Sequence, residues 1–521
     1  MIDLKLDKII YIGIQLLFLS LIGLGIYILS IPYEAILSYI NSFRPEKPYQ
    51  FFTEEYSSYF KIVVKLFIPL IIVFIIFLSF KKKSCISLIE SLLKEIRYYS
   101  FSLWENTRSF FQAENKVHIT ILFSMLLSGV FIRLMYINRS VFHDEAKTFY
   151  NFISQSWINT ITNYFNPNNH VFHSILSRVF YVLLGNEEWV FRIPVFIFGI
   201  LTILFIYIFS RKVYNKHIAI LLCAISINAI PLVSYSVNAR GYSIVTFFSL
   251  VLFCIINSLN KKNSLLMWIL FVIIASLGIW TIPIMVMPII FVLVWYFLNT
   301  NRSKYLTDLF KLTIVGFSCF LLSTILYTPI ILRSKGVELI IGNEYVKSQT
   351  YDTILGQLRN YLLRTWEFFN SGYPDIVQIT FFFLFIIGII YHLNHKRHRK
   401  FLFSFVILFV FIIFVLRRLP FARTLLFLYP ILGVFIASGI FILCRYSANH
   451  LKFDLEKIVN RTSLILYMFS TFICIRENGI IEILRSQTCP QAEIIITDLI
   501  GNINPNDMIE TSTPLAGPIT Y

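Results

Sequence analysis

The sequence has too little charge to belong to a water-soluble globule. Asp, Glu, Lys and Arg make up 14% of its 521 residues, whereas hydrophobic residues make up 57% and aromatic residues 17%. A soluble domain carries about a quarter charged residues, so this chain could not cover its own surface with polar groups. The excess of apolar residues also excludes a disordered chain. The composition therefore indicates a protein that crosses a membrane several times.

Paired cysteines and a cleavable leader are also lacking. The seven Cys are scattered, mostly within apolar runs, and none forms a CxxC pair. Neither a disulfide framework nor a metal knuckle is therefore predicted. The first apolar run, 9–31, is too long for the core of a signal peptide and has no clear cleavage site. We interpret this run as a membrane span.

Long apolar runs are what the sequence has in quantity. Because lipid offers no hydrogen bonds to the backbone, and because the runs do not alternate, they predict helices and not barrel strands. The expected fold class is an all-α polytopic membrane protein with about 13 transmembrane helices. The runs lie near 9–31, 60–80, 118–137, 190–210, 217–235, 242–259, 264–280, 282–298, 309–331, 376–394, 400–416, 424–443 and 462–476.

The net charge of +17 indicates topology and not nucleic-acid binding, because Lys and Arg cluster between the apolar runs. With the N-terminus inside, the positive-inside rule places the basic segments 81–83, 211–212, 261–262 and 396–400 inside as well. Four long stretches then lie outside. They are 32–57, 138–189, 332–375 and 477–521.

Several apolar segments are too short to span a bilayer. Segments 149–161, 171–184 and 354–369 are predicted to be interfacial helices on the outer side. In segment 84–113 apolar residues recur at helical spacing with charged residues between them, which predicts an amphipathic helix on the inner membrane surface.

The most reactive group of residues follows the span 118–137. Asp144 and Glu145 are adjacent carboxylates, preceded by His143, just outside that span. Such a pair can provide a general base or bind a cation. Acidic residues also favour the first turn of a helix, so capping is the alternative interpretation.

Two further segments of the same outer loop carry polar residues. Asn169 and His170 open the segment 171–184, where capping chemistry is ordinary. The segment 188–194 enters the next span, and its Arg192 is able to extend towards the interface by snorkelling.

Two outer turns contain arginine against the positive-inside rule. Arg240 lies between the runs 217–235 and 242–259, and Arg423 lies in a turn that also holds Arg417 and Arg418. Arginine matches phosphate geometry with its planar set of donors, which indicates an anion-binding site. Attraction to anionic lipid headgroups is the alternative.

With these motifs in order, residues 118–443 resemble the GT-C superfamily of membrane glycosyltransferases. The similarity is to the protein-mannosyltransferase type (glycosyltransferase family 39), which includes the aminoarabinose and galacturonic acid transferases of lipid A. It rests on Asp144-Glu145, on Asn169-His170 in place of a His-Pro-Pro-Leu element, and on three later motifs. These are the Glu188–Pro194 segment, the Tyr-Ser-x-x-Ala-Arg-x-Tyr turn at 235–242, and Arg423 before Pro430. The missing Pro-Pro is a departure from the family pattern.

The resemblance implies a function. Such enzymes transfer a sugar from a polyprenyl-phosphate donor to a lipid, glycan or protein acceptor outside the cytoplasm, with inversion at the anomeric carbon. Asp144 would be the general base, and Glu145 would orient the acceptor or help hold a divalent cation. The other expected roles are donor-phosphate binding by Arg240 and Arg423, and substrate binding by His143, Asn169, His170 and Tyr242.

The resemblance divides the chain into three regions. An N-terminal two-span module covers 1–117, the catalytic membrane domain covers 118–443, and the last span with an outer tail covers 444–521. The expected partners are the lipid-linked sugar, its acceptor and the bilayer, in a prokaryotic plasma membrane. The motifs require no cofactor, and a divalent cation at Asp144 and Glu145 is the one candidate that they leave open.

Two other classes remain open. A flippase for a lipid-linked sugar would bury charges along its spans, whereas ionisable residues here gather at the outer turns. A polymerase or ligase of another polytopic fold would share the donor but would not need the Asp-Glu pair.

Overall fold

The computed structural model describes residues 3–42, 54–139, 141–164, 169–333 and 348–476. In these ranges the regular structure is helical and contains no strand, so the predicted all-α class is confirmed. The first ten helices are α1 (Asp3–Ser30), α2 (Tyr33–Ser42), α3 (Glu54–Phe80), α4 (Lys82–Ala113), α5 (Lys116–Tyr136), α6 (His143–Thr148), α7 (Trp157–Thr162), α8 (Val171–Leu184), α9 (Glu188–Val213) and α10 (Lys216–Ser226). The second ten are α11 (Ile230–Ser236), α12 (Tyr242–Leu259), α13 (Leu265–Thr281), α14 (Val286–Asn299), α15 (Tyr305–Arg333), α16 (Tyr351–Phe369), α17 (Asp375–Asn394), α18 (Lys396–Phe411), α19 (Tyr429–Leu451) and α20 (Leu455–Arg476).

Every predicted apolar run is helical, although 217–235 is divided between two helices, and not every helix is long enough to span a membrane. In the described residues, nine helices are long and apolar enough to cross one. The pair α10 and α11 would make a tenth, although its two axes differ by 69°. Helices α13 and α14 and the apolar part of α3 fall short of that length. The chain is a multi-pass membrane protein, and the number 13 stays a prediction.

Internal contacts divide the chain into two compact units. The first unit comprises 1–113 with 264–269 and 329–336. In it α1 packs on α3, and the Tyr11 hydroxyl donates to the Leu78 carbonyl at 3.0 Å.

The amphipathic segment of this first unit forms the helix α4. Its Glu95 carboxylate accepts from the Ser264 hydroxyl at 2.7 Å and from the Leu266 amide at 2.9 Å. Residues 264 and 266 directly follow the basic pair 261–262, which the charge pattern places inside. The predicted inner-surface helix therefore contacts a segment predicted to lie on the same side.

The second unit holds the remaining described helices from α5 to α20. Its core is formed by α9, α10, α12 and α19, and every residue of α10 from Ile218 to Ser226 is buried. Helix α20 packs within this unit, although the sequence set it apart with the tail.

Helices α17 and α19 approach each other backbone to backbone. A Cβ atom on Gly388 would collide with the Phe435 carbonyl, and one on Gly439 would collide with the Leu384 carbonyl. Small residues allow such close crossings in membranes, where van der Waals packing replaces the hydrophobic effect between helices.

Turns predicted to lie inside meet in one ionic cluster of the second unit. Glu114, before α5, pairs with Arg211 at the end of α9 at 2.5 Å and with Lys216 at the start of α10 at 3.2 Å. Lys216 also pairs with Glu456 of α20 at 3.1 Å. We call these four residues the Glu114 cluster. The turns that the charge pattern groups together are thus in contact.

The stretches predicted to lie outside differ from their prediction in one place. Segment 171–184 forms α8 as predicted, and 354–369 lies within α16, but 149–161 is two elements and not one helix. A π-helical turn at Phe149–Ile153 ends before Ser156, whose hydroxyl caps α7 by accepting from the Asn159 amide at 3.3 Å. The predicted outer tail, 477–521, lies outside the described residues.

Candidate active site

Asp144 is the open carboxylate of the Asp-Glu pair. It stands in the first turn of α6, which begins directly after the buried Phe142. Its side chain is 38% exposed, and among the described residues its ion-pair partner is Arg423, with Nη1 at 3.9 Å from Oδ2. The side chain is therefore accessible to a substrate, and a cation lies beside it.

Glu145 is the opposite case, because it is fully buried and bonded on every side. Its carboxylate accepts from Arg192 Nε and Nη2, both at 3.0 Å, and from the backbone amides of Ala239 at 2.6 Å and Phe142 at 3.1 Å. Arg139 Nη2 lies 3.8 Å away. Burial alone would raise the pKa of Glu145, but the charges of the two arginines lower it on balance. These contacts occupy both oxygens of Glu145, and they give no support to its predicted contact with an acceptor substrate.

Arg192 does not snorkel towards the interface. It is 0% exposed, and its Nη1 donates to the carbonyls of Ile137 at 2.8 Å and Arg139 at 2.6 Å. Snorkelling was the wrong interpretation, because a buried carboxylate 47 residues earlier in the chain holds this guanidinium inside. We call Glu145, Arg192 and Arg139 the Glu145 cluster.

Arg240 is linked to the helix that carries Asp144. It is 4% exposed, and its Nη1 donates to the Thr148 hydroxyl at 2.8 Å. Thr148 in turn donates to the Asp144 carbonyl at 2.8 Å. No local signal selects Thr148, since a threonine at the end of a short helix has no distinguishing feature until its partner is known.

His170 lies against the turn that contains Arg240. The Gly241 amide donates to His170 Nδ1 at 2.7 Å, Nε2 lies 3.3 Å from Arg240 Nη2, and the ring meets Tyr242 edge-on with centroids 5.2 Å apart. Burial and the positive charge of Arg240 lower the pKa of His170 well below its usual value, so the ring is neutral at physiological pH.

Gly241 is required for close approach and not for an unusual backbone angle. Its φ is −68°, which any residue adopts. A Cβ atom there would collide with Cγ2 of Thr281 and lie 3.3 Å from the ring nitrogen of His170. The turn therefore packs directly against the end of α13 and the start of α8.

Asn169 is committed to its own loop. Its amide nitrogen donates to the carbonyls of Thr160 at 3.1 Å and Asn163 at 2.8 Å, and its oxygen accepts from Ser174 at 2.8 Å. These contacts give no support to the predicted substrate-binding role. The preceding residues 165–168 lie outside the described part of the chain.

Five of the predicted site residues thus converge. Asp144, Arg240, Arg423, His170 and Tyr242 come from four separate segments and are linked by the contacts above. His143 is half-buried beside Asp144, whereas Glu145 and Asn169 face the supporting structure.

The contacts do not fit the divalent cation considered for Asp144 and Glu145. Within the described ranges, no group of three or more His, Cys, Asp or Glu side chains is arranged to hold a metal. Both oxygens of Glu145 already accept from Arg192 and from backbone amides.

Comparison with known proteins supports the resemblance inferred from the motifs. Residues 170–327 match the family model described as dolichyl-phosphate-mannose-protein mannosyltransferase. No curated protein sequence matches the chain at a significant level.

Two solved structures of ArnT from Cupriavidus metallidurans are similar to this fold. The apo structure has 11% sequence identity and a TM-score of 0.51, with 77% of this chain and 84% of that chain covered. The structure bound to undecaprenyl phosphate has 13% identity and a TM-score of 0.53, with 77% and 83% covered. Together with the family match, these likenesses confirm the predicted GT-C resemblance, and the fold is similar to that of ArnT.

Proposed function

We propose that this chain is a glycosyltransferase that moves a sugar from a polyprenyl-phosphate donor to an acceptor hydroxyl on the outer face of the membrane. The family match and the ArnT-like fold support glycosyl transfer, and undecaprenyl phosphate is bound by ArnT itself. The observation that carries the proposal is the convergence of one accessible carboxylate, Asp144, with the guanidinium groups of Arg240 and Arg423. Transfer from a phosphate leaving group needs a base on one side and positive charge on the other.

Asp144 acts as the general base. Its carboxylate removes the proton of the acceptor hydroxyl, whose oxygen attacks the anomeric carbon of the donor sugar. The bond between that carbon and the phosphate oxygen breaks at the same time, and its electron pair leaves with the phosphate. Inversion follows because attack and departure occur on opposite faces.

Arg240, Arg423 and His170 receive the leaving phosphate. Since Nδ1 of the neutral His170 ring accepts from the Gly241 amide, its proton is on Nε2. Nε2–H and Arg240 Nη2 are then two donors 3.3 Å apart, an arrangement that an anionic oxygen beside them would stabilise. Arg423 is 35% exposed and lies 3.9 Å from Asp144, so its guanidinium is the second positive group available to the phosphate. Fixed positive groups at the site of developing charge are a major source of catalysis.

Glu145 and Arg192 are positioning residues in this mechanism. Their cluster joins α6, the start of α9 and the turn before Arg240 through Glu145, Arg192 and Ala239. It therefore holds the base and a phosphate ligand in one arrangement, which orientation-dependent catalysis requires.

The test is transfer by the purified protein and its Asp144→Asn variant. A panel of radiolabelled polyprenyl-phosphate sugars would serve as donors, with a membrane extract supplying lipid, glycan and protein acceptors. We expect wild-type transfer from a lipid-linked donor, and a decrease of roughly 100-fold or more for Asp144→Asn with the fold retained. Asn keeps the shape and caps a helix about as well as Asp, so the variant loses the base and the negative charge beside Arg423 but not the helix cap.

Asp308→Asn is the matched control. Asp308 pairs with Lys311 at 3.0 Å in a separate cluster, and its variant should transfer normally. Near-normal transfer by Asp144→Asn would remove Asp144 as the base. Movement of the labelled donor across proteoliposomes without any transfer would favour a flippase.

A further inference from the structure

A second fully buried arginine lies close to the candidate site and takes no part in the mechanism above. Arg133 stands in the last turn of α5 and is 0% exposed. Its Nη1 donates to the carbonyl of Gly129 in its own helix at 2.9 Å and to the carbonyl of Ile227 at 3.0 Å. In the described part of the chain no Asp or Glu acts on its charge. A buried guanidinium without a carboxylate is costly, so another group must stabilise it.

The stabilising group is the end of a broken helix. Helix α10 ends at Ser226, α11 begins at Ile230, and the two axes differ by 69°. In a continuous helix the Ile227 carbonyl would accept from the amide four residues later, but that residue is Pro231, which has no N–H. The carbonyl end of a helix carries partial negative charge, and cations are bound at such ends in broken membrane helices. Arg133 provides both the missing donor and the positive charge.

This contact lies directly before the turn that carries Arg240. Helix α11 ends at Ser236 and leads into 237–241, with Ala239 bonded to Glu145 and Arg240 bonded to Thr148. The direction of α11 therefore sets where Arg240 lies.

Apolar packing connects the same elements. Ile230 and Val233 of α11 share a buried cluster with Ile132 of α5, Phe142 before α6, and Cys474 of α20. The other two guanidinium nitrogens of Arg133, Nε and Nη2, have no hydrogen-bond partner among the described residues. Among the described residues, the Ile227 carbonyl is thus the acceptor that Arg133 reaches outside its own helix.

We infer that Arg133 is a positioning residue for the transfer reaction, because it fixes the bend between α10 and α11 and so aims Arg240 at the donor phosphate. The inference rests on the proposed role of Arg240. Arg133 touches no substrate, and its effect on the reaction passes through the turn 237–241.

The first test is a double-mutant cycle with Arg240. Arg133→Met removes the donor and keeps the apolar stem, whereas Arg133→Lys keeps a cation that can reach one carbonyl. We expect Arg133→Met to lower kcat/KM by about tenfold or more, because a small displacement of a binding group strongly lowers the rate. Arg133→Lys should lower kcat/KM less. In an Arg240→Ala background, Arg133→Met should change kcat/KM little, since Arg133 affects the reaction through the contact between Arg240 and the donor phosphate.

Arg211→Met is the matched control, because Arg211 is an arginine of the Glu114 cluster. Its effect should multiply with that of Arg240→Ala. An equal loss from Arg133→Met in both backgrounds would mean that Arg133 only stabilises the fold, and the inference would be wrong.

The second test does not depend on activity. Hydrogen exchange of the segment 229–241 should be faster in Arg133→Met and Arg133→Lys than in wild type, and unchanged in Arg211→Met. Unchanged exchange in both Arg133 variants would overturn the inference even if transfer fell. If Arg240→Ala transferred normally, the phosphate role of Arg240 would fail by itself, and with it the route by which Arg133 affects the reaction. The exchange result would then still show whether Arg133 holds the turn.

Discussion

Two ionic clusters in the second unit have similar composition and different burial. In the Glu145 cluster one carboxylate is bound by Arg192 and Arg139, and its side chain is 0% exposed. In the Glu114 cluster one carboxylate, 7% exposed, is bound by Arg211 and Lys216, and these cations are 32% and 30% exposed to solvent. Both clusters join the ends of helices, and the first also fixes a loop backbone, through the Ala239 amide.

The difference indicates what burial achieves here. Exposed pairs contribute little, since water and salt screen them, and the Glu114 cluster can lose a member without leaving an isolated buried charge. A buried pair is costly to break, because the remaining charge has no partner. The Glu145 cluster therefore sets geometry strictly, and the accessible groups Asp144 and Arg423 extend from elements that are held in place.

The largest expected effect comes from breaking the buried cluster. Glu145→Gln leaves Arg192 and Arg139 without a counter-charge, and we expect a loss of about 3–5 kcal/mol in stability with no measurable transfer. Glu114→Gln should cost on the order of 1 kcal/mol or less and leave transfer within severalfold of wild type. Thermal unfolding in detergent and the transfer assay would measure both. Equal losses of stability in the two variants would contradict the comparison.

The second effect separates a phosphate ligand from a structural arginine. Arg240→Ala should weaken donor binding by on the order of 1.5–3 kcal/mol, the value of a charge-assisted hydrogen bond, and Arg240→Lys should recover little because it lacks the planar set of donors. Arg211→Ala removes an arginine from the Glu114 cluster and should leave donor binding unchanged. Titration with a polyprenyl-phosphate sugar would decide. Wild-type affinity in Arg240→Ala would remove it from the phosphate site.

Much of the architecture could be predicted, because its signals are local. Apolar runs predicted the helices, and the charge pattern grouped the turns that make contacts in the Glu114 cluster. The bend in the run 217–235 was missed, although the sequence places Pro231, which has no backbone N–H, within that run.

The candidate site was only partly predictable, because its supporting contacts join distant residues. Motif order selected Asp144, Arg240 and His170, whose arrangement is consistent with the proposed chemistry. No local pattern distinguishes Glu145 from its neighbour, since burial arises from Arg192, 47 positions later, and from Ala239, 94 positions later. Adjacent carboxylates look alike in sequence and differ in the folded chain.

A smaller effect tests how tightly the turn beside the Glu145 cluster is packed. Gly241→Ala places a Cβ against Thr281 and His170, so we expect about 1–3 kcal/mol of destabilisation and roughly tenfold lower transfer. Gly356→Ala in α16 is the matched control, because no atom lies within 4 Å of its added Cβ, and a helical Gly→Ala change is neutral or stabilising. Thermal unfolding and transfer of both variants would be compared. A Gly241→Ala protein as stable as wild type would show that the turn can yield.

The smallest effect is on pH dependence. The pKa of His170 is lowered in the folded state, so its contribution to stability is complete above the unfolded pKa of about 6.5 and is lost as pH falls below it. His170→Asn keeps an acceptor for the Gly241 amide and removes the titration. Between pH 6.5 and 5 the wild type should lose up to about 1.4 kcal/mol more per pH unit than the variant. Unfolding temperatures over that range would test it, and parallel curves would contradict the prediction.

The glycine crossing of α17 and α19 has a consequence for the proposed lipid-linked donor. Where the Gly388 and Gly439 backbones touch the opposite helix, no gap remains that is wide enough for a hydrocarbon chain. The two helices form a closed seam at that level, and a prenyl tail cannot slide between them. Lateral access from the bilayer must therefore use a different side of this helical bundle, which restricts the directions from which the proposed lipid-linked donor would reach Asp144.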